Sequence, residues 1–288
     1  MRVVLIEGGG HRAGRITRAL LEGIPKTGDE IQHIHSENYN GVIDGMDGAI
    51  HYGLRGKTFD AFRAYRYHKF SVYIDMGYWG RREGGTYDGF HKVSISDRHP
   101  TAYFQKIQHP PDRFNHFNIE IEPWKKDGKH ILLAGMGSKA AYVEGFAPSE
   151  WERAAIAELR RVTDRPIIYR PKPSWGSPQH LDGSKMIVAD EQKLDEALKD
   201  CWAVVTHHSN LAVDALVRGI PVFCFHGVAK PMGLTNLRQI EEPIYPENRE
   251  QWCWDVAYTQ WQPAEMARGD MWRHLRREGF LEPGVLPR

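Results

Sequence analysis

The chain has 288 residues, 41% of them hydrophobic and 26% charged, which supplies apolar material for two cores and excludes a disordered or low-complexity protein. A net charge of +1 excludes a general polyanion binder, and no apolar run of about 18 residues is present to cross a membrane. Cys201, Cys224 and Cys253 are odd in number and form no C-x-x-C pair, so they read as reduced core thiols. The opening Met1-Arg2-Val3-Val4-Leu5-Ile6-Glu7 meets an acid and then glycines too early for a signal peptide, and a cytoplasmic protein is expected. Charge is unevenly placed. Residues 1–130 hold 19 Lys/Arg against 16 Asp/Glu, and ten of the 15 histidines, a bias that permits an anionic partner for the N-terminal half.

Residues 2–6 are β-branched and apolar, the pattern of a buried strand. Gly8-Gly9-Gly10-His11-Arg12-Ala13-Gly14 follows, then Ile16, Ala19, Leu20 and Ile24 at helical spacing. Strand, glycine loop and helix together open a nucleotide-binding-like α/β unit. The spacing is not G-x-G-x-x-G and no Lys-Ser/Thr follows, so dinucleotide and ATP-loop readings both fail. Further strands are predicted at 31–35, 48–52 and 70–75, with a helix over 58–68. Residues 84–124, rich in His, aromatic residues and Pro, are read as the irregular end of the first domain. The polar run Trp124-Lys125-Lys126-Asp127-Gly128-Lys129 is the expected linker.

Strands then alternate with helices. Strands are predicted at 131–134, 166–169, 203–206 and 221–225, and helices from Ser149 and over 194–198, 210–218 and 263–278. Ser149 and Glu152 have capping-box spacing. Alternation of this kind predicts a parallel sheet covered by helices. The expected domains are 1–125 and 130–262, and 263–288 forms a C-terminal helical segment with Met266, Met271, Trp272 and Leu275 as its buried face. Trp252, Trp254, Trp261 and Trp272 are read as core.

The most informative stretch is Val204-Val205-Thr206-His207-His208-Ser209-Asn210-Leu211-Ala212-Val213-Asp214, followed by Gly219-Ile220-Pro221-Val222. A buried strand delivers the chain to a polar turn where a short helix starts. Free amide groups at 209–212 and the helix dipole would favour an anion such as a diphosphate, and Asp214 could accept hydrogen bonds from ribose hydroxyls. The alternative is that Ser209 or Asn210 is a helix cap and Asp214 is merely solvated. Arg170 and Lys172 sit at the carboxyl end of a predicted strand, where open α/β sheets bind ligands. No metal centre is expected: His207 and His208 are adjacent and should point apart, and no H-E-x-x-H occurs.

This stretch resembles the donor-binding segment of GT-B glycosyltransferases and the capsule-polysaccharide transferases related to them. Gly135-Met136-Gly137-Ser138-Lys139 and the strand ending Tyr169-Arg170-Pro171-Lys172-Pro173 agree with that family; Asp214 departs from it by standing where Glu is commoner. The resemblance implies an α/β protein of the GT-B fold, two Rossmann-like domains with parallel sheets facing across a cleft and the C-terminal helix of 263–288 packing back on the first domain. It implies a nucleotide sugar, a UDP-sugar being expected, as co-substrate, with no permanently bound cofactor. Donor contacts would come from Gly135, Gly137, Ser138, Lys139, Arg170, Lys172, His208, Ser209, Asn210 and Asp214. In the first domain, Gly9, Gly10 and Arg12 would face the acceptor, and His11 or Asp75 would take the proton from its hydroxyl. Tyr78 and Trp79 would stack on a sugar or base, with Arg81 and Arg82 on phosphate.

The acceptor has two candidates. The run from Tyr73 to Arg81 and the Trp272-Arg273-His274-Leu275 segment resemble proteins carried by bacterial viruses, which implies glycosylation of hydroxymethylated pyrimidines in phage DNA, in the host cytoplasm. The other is a saccharide, as in capsule-type transferases. A sugar-nucleotide epimerase and a non-catalytic nucleotide-sugar binder on the same fold remain as alternatives.

Overall fold

Val3, Val4, Leu5 and Ile6 are all buried, which a strand achieves only when helices cover both faces of its sheet. The computed structural model, which describes residues 1–101, 104, 107–173, 175–188 and 194–281, places them in such a strand. Along the chain run β1 (Arg2–Glu7), α1 (His11–Gly23), β2 (Glu30–His35), β3 (Gly48–Tyr52), α2 (Lys57–Tyr65), β4 (Phe70–Met76), β5 (His91–Ile95) and α3 (Asp112–Asn115). There follow β6 (His130–Ala134), α4 (Ser138–Glu144), α5 (Glu150–Leu159), β7 (Ile167–Arg170), β8 (Lys185–Met186), α6 (Leu194–Leu198), β9 (Cys201–Thr206), α7 (Leu211–Val217) and β10 (Val222–Cys224). The chain closes with α8 (Arg249–Tyr258), β11 (Gln260–Trp261), α9 (Pro263–Arg268) and α10 (Asp270–Arg277).

Two units result. Met1–Phe117 joins Trp254–Arg288 in the first, and Asn118–Cys253 forms the second, so α8 spans the boundary. The expected linker is packed structure: Arg249 lies 3.9 Å over the Trp124 ring, and a Cβ on Gly128 would stand 2.3 Å from the Trp202 backbone. The return to the first unit begins at Trp254 rather than 263.

The first unit's sheet has the order β11-β5-β4-β3-β1-β2. β1 pairs in parallel with β2 and β3, and β3 with β4; β5 runs antiparallel to β4 and β11. One face packs Leu5, Ile50 and Val72 against Ile16 and Leu20 of α1 and Met266, Trp272 and Leu275 of α9 and α10. The other packs Val4, Ile6 and Ala49 against Ala61 and Tyr65 of α2. β5 was unreadable as a strand because its sequence, His-Lys-Val-Ser-Ile, puts polar residues inside. All five are buried, and Lys92 Nζ and Ser94 Oγ donate to the Arg98 and Asp97 carbonyls. The predicted 263–278 helix is broken at Gly269, whose φ of 83° caps α9 in the left-handed region.

α1 meets α9 through Gly23. A Cβ there would stand 1.8 Å from the Met266 carbonyl oxygen, backbone against backbone with no side chain to swing aside. Gly23→Ala is therefore expected to cost about 3 kcal/mol, read as a lower urea midpoint. Gly9→Ala, whose added carbon meets nothing within 4 Å, should stay within about 0.5 kcal/mol of wild type.

The second unit's sheet, β10-β9-β6-β7-β8, is parallel throughout. Numbered within the unit, its order is 3-2-1-4-5, the doubly wound order of dinucleotide-binding domains. Ile131, Leu133, Ala203 and Val205 of the central strands pack on Trp151, Ile156 and Leu159 of α5. Cys201, Cys224 and Cys253 are all free and buried, as expected.

Candidate functional site

In a doubly wound sheet the direction of winding reverses between two neighbouring strands, and the loops leaving their carboxyl ends part there to leave a crevice. In the second unit those strands are β6 and β9. Three of the sequence's donor segments leave this edge: the loops after β6, β7 and β9. They are tied together by Gly135 N donating to the Arg170 carbonyl (3.0 Å) and Thr206 Oγ1 donating to the Ala134 carbonyl (3.0 Å).

After β6 the chain makes a tight turn. Gly135 and Gly137 are buried, and a Cβ on Gly135 would fall 2.8 Å from the Tyr169 ring. The Lys172 stem lies over Gly137, 3.0 Å from where its Cβ would be. Glu152, 1% exposed, accepts from Met136 N at 2.6 Å and holds this turn from below; burial raises its pKa. The capping box expected of Ser149 and Glu152 is absent. Ser149 adopts φ 58° without a side-chain cap bond, and the carboxylate reaches the β6 turn instead. Glu152 thus holds the β6 turn in place, a partner other than the helix start that its spacing suggests.

α4 begins at Ser138, directly beyond this turn. Among the described residues the amides of Ser138, Lys139 and Ala140 donate to nothing, as the first turn of a helix requires. Ser138, Lys139 and Lys172 are exposed, and Lys172 makes no ion pair among the described residues.

The turn after β9 differs from expectation. Ser209 N donates to Thr206 Oγ1 (3.1 Å), Leu211 N to Ser209 Oγ (3.2 Å) and Ala212 N to the Ser209 carbonyl (3.1 Å). Three of the four amides offered to a diphosphate are therefore bonded inside the turn, because two hydroxyls close it on itself. His208, Ser209, Asn210 and Asp214 are half-buried there, Asp214 in the first turn of α7. His207 and His208 do not point apart. The strand ends at Thr206, so alternation stops, and the two Nδ1 atoms come within 2.9 Å of each other. Glu144 Oε1 is 3.8 Å from His208 Nδ1, and Phe146 and Trp151 flank the His207 ring.

In the first unit the reversal falls between β1 and β3, with the glycine loop leaving β1. Gly9, Gly10 and His11 are exposed. Arg12 donates to the Thr86 carbonyl at 2.9 Å and lies 5.5 Å over the Tyr87 ring. Asp75 is the penultimate residue of β4, two strands away. One of its oxygens accepts from the Tyr73 hydroxyl and the other from Met76 N (2.8 Å), so both are engaged in holding the strand end. Tyr78 and Trp79 are 3% and 6% exposed. Trp79 packs on Phe114 and Phe117, ring centroids 5.1 and 5.7 Å apart, and Tyr78 N donates to Gln260 Oε1. The stacking role expected of this pair is overturned by their burial: their faces are core. Arg81 folds back onto the Gly77 carbonyl at 2.7 Å. His91, missed by the sequence reading, is buried at this edge, and burial together with the Arg12 charge pushes its pKa down to about 4.

No helix among the described residues is long and apolar enough to cross a membrane. By sequence, neither a family model nor a curated protein matches the chain. By structure, two enzymes from Thermosulfurimonas dismutans match it. One is the KpsC β-Kdo 2,4 transferase, 13% identical with a TM-score of 0.51, covering 89% of this chain and 91% of that one. The other is the KpsC β-Kdo 2,7 transferase, 13% identical with a TM-score of 0.52, covering 95% and 100%. Two α/β units built on parallel strands, in a chain matched over nearly its whole length to these transferases, have the GT-B fold.

Proposed function

We propose that the protein is a glycosyltransferase that moves a sugar from a nucleotide-sugar donor to an acceptor hydroxyl. The observation that carries this reading lies at the carboxyl edge of the second sheet, where the amides of Ser138, Lys139 and Ala140 open after β6 and Lys172, its stem over Gly137, follows Arg170 at the end of β7. Amides and cations together suit a diphosphate, and the same charges would stabilise it as the leaving group. Gly135 and Gly137 leave room for the Tyr169 ring and the Lys172 stem, which fixes Lys172 beside the turn. Ser209, Asn210 and His208 border the site from β9, and Asp214 stands one turn along α7 for the ribose.

In the first unit, Gly9 and Gly10 admit the acceptor beside Arg12, and His11 is the better placed base: it is exposed, whereas Asp75 already accepts two hydrogen bonds. A saccharide acceptor is favoured. Two solved structures of like fold are Kdo transferases, and a DNA base would lack its stacking pair because Tyr78 and Trp79 are buried.

The test is a panel of nucleotide sugars, UDP-sugars included, scored by melting temperature. A donor at 100 times its dissociation constant adds about 2.7 kcal/mol, a rise of several degrees. Transfer to a saccharide and to hydroxymethylated DNA is then read by mass spectrometry, with DNA binding followed against salt. No shift with any nucleotide sugar refutes the reading. Binding to DNA that falls steeply with salt, with transfer to its bases, would restore the DNA acceptor.

A further inference from the structure

β1 and β2 lie in parallel register, with Leu5 opposite His33 and Glu7 opposite His35. Side chains two apart on a strand share a face, so both histidines stand on the face that Glu7 shares at the carboxyl end of β1. Glu7 Oε2 is 2.8 Å from His33 Nε2 and 3.7 Å from His35 Nδ1. The two rings meet edge to face at 5.0 Å, and one ligand atom from each of the three residues lies within 4.8 Å of the others. We propose that Glu7, His33 and His35 bind a divalent transition-metal ion of the zinc class.

The donor set selects the ion. Two imidazoles and one carboxylate suit zinc, cobalt or nickel, whereas magnesium and calcium take oxygen shells. Zinc bonds of about 2.0–2.2 Å set tetrahedral ligand atoms about 3.3 Å apart, and the two measured separations bracket that value. Space and charge agree. A Cβ on Gly14 of α1 would stand 3.3 Å from Glu7 Oε1, so the glycine leaves the carboxylate room. Among the described residues, the ion pairs of Glu7 are with these two histidines and with no lysine or arginine. β2 is the last strand of its sheet, and His35 is 62% exposed. Three protein ligands with an open flank leave a fourth position for water or a ligand oxygen. Contiguous-motif searching missed the set because its ligands come from two strands, 26 residues apart for Glu7 and His33. This site is independent of the glycosyl-transfer reading.

Chelator-treated full-length protein is titrated with zinc chloride by calorimetry. Two other triads could also take zinc, His109 with His274 and Glu278, and Glu144 with His207 and His208, so His274→Ala and His208→Ala are titrated alongside. Changes outside a metal's own ligands already weaken binding by about 10- to 100-fold. The His33→Ala/His35→Ala protein should therefore lose at least tenfold in its tightest zinc-binding event, and the two control variants should retain it. If the alanine pair does not fold, His35→Gln alone, at the exposed position, is loaded with cobalt. Loss of the tetrahedral visible bands that wild type shows supports the site. Zinc affinity or cobalt bands unchanged by these substitutions, or no zinc uptake by wild type, overturns it.

Discussion

Lys172→Met is expected to weaken nucleotide-sugar binding by about 10- to 100-fold, the worth of one charge-assisted hydrogen bond at about 1.5–3 kcal/mol. The variant is chosen for what it preserves. The Lys172 stem packs over Gly137, and methionine keeps a stem of similar length while removing only the ammonium. Melting temperature without ligand should hold, because Lys172 is exposed and has no ion-pair partner among the described residues. Lys172→Arg should retain most of the affinity. Adding Arg170→Ala should lower the transfer rate further if, as proposed, both cations meet the departing diphosphate. Calorimetric titration with the best nucleotide sugar is the readout, and unchanged affinity in Lys172→Met would remove Lys172 from the site.

Acidification should unfold the first unit well before its carboxylates are protonated. His51, His91 and His274 are 0%, 1% and 4% exposed. Burial pushes the pKa of His51 down to about 4, and the Gly53 carbonyl opposes this only weakly. Burial and Arg12 bring His91 to about 4, and burial with His109, Arg277 and Arg113 brings His274 to about 3. Unfolded histidine titrates near 6.5. Between pH 6.5 and about 4 the unfolded chain therefore carries protons that the folded one refuses, so stability falls as pH falls through that window and the slope flattens below it. Near pH 5 the three together take up about three protons on unfolding, on the order of 4 kcal/mol per pH unit. Urea midpoints at pH 7 and pH 5 check this. Equal midpoints would mean that these imidazoles are not held neutral.

Much of the second unit was legible because its strands are continuous apolar runs between turn residues, and Ile131–Leu133 or Ala203–Val205 can hardly be anything else. β5 was not, since Lys92 and Ser94 satisfy their polar groups with backbone carbonyls that no local pattern announces. The strands and turns that carry the proposed donor segments were legible in outline. Which amides stay open was not legible, because it depends on which hydroxyl reaches which amide: Thr206 and Ser209 close the β9 turn, while among the described residues no side chain closes the start of α4. Ser149 and Glu152 show the same limit, with correct spacing and a different partner. Tyr78 and Trp79 looked like a platform in sequence, yet a tryptophan beside Phe114 and Phe117 is buried by an aromatic cluster assembled from distant residues. Glu7, His33 and His35 are brought together only by strand register.

If the chain is a nucleotide-sugar transferase, the edge between β6 and β9 should receive a nucleoside diphosphate, and a crystal structure of the chain soaked with UDP decides this. The diphosphate should lie within hydrogen-bond distance of the Ser138–Ala140 amides and of Lys172 Nζ, with the ribose toward Asp214. A diphosphate seated away from the turns after β6 and β7, with Lys172 untouched, would contradict it.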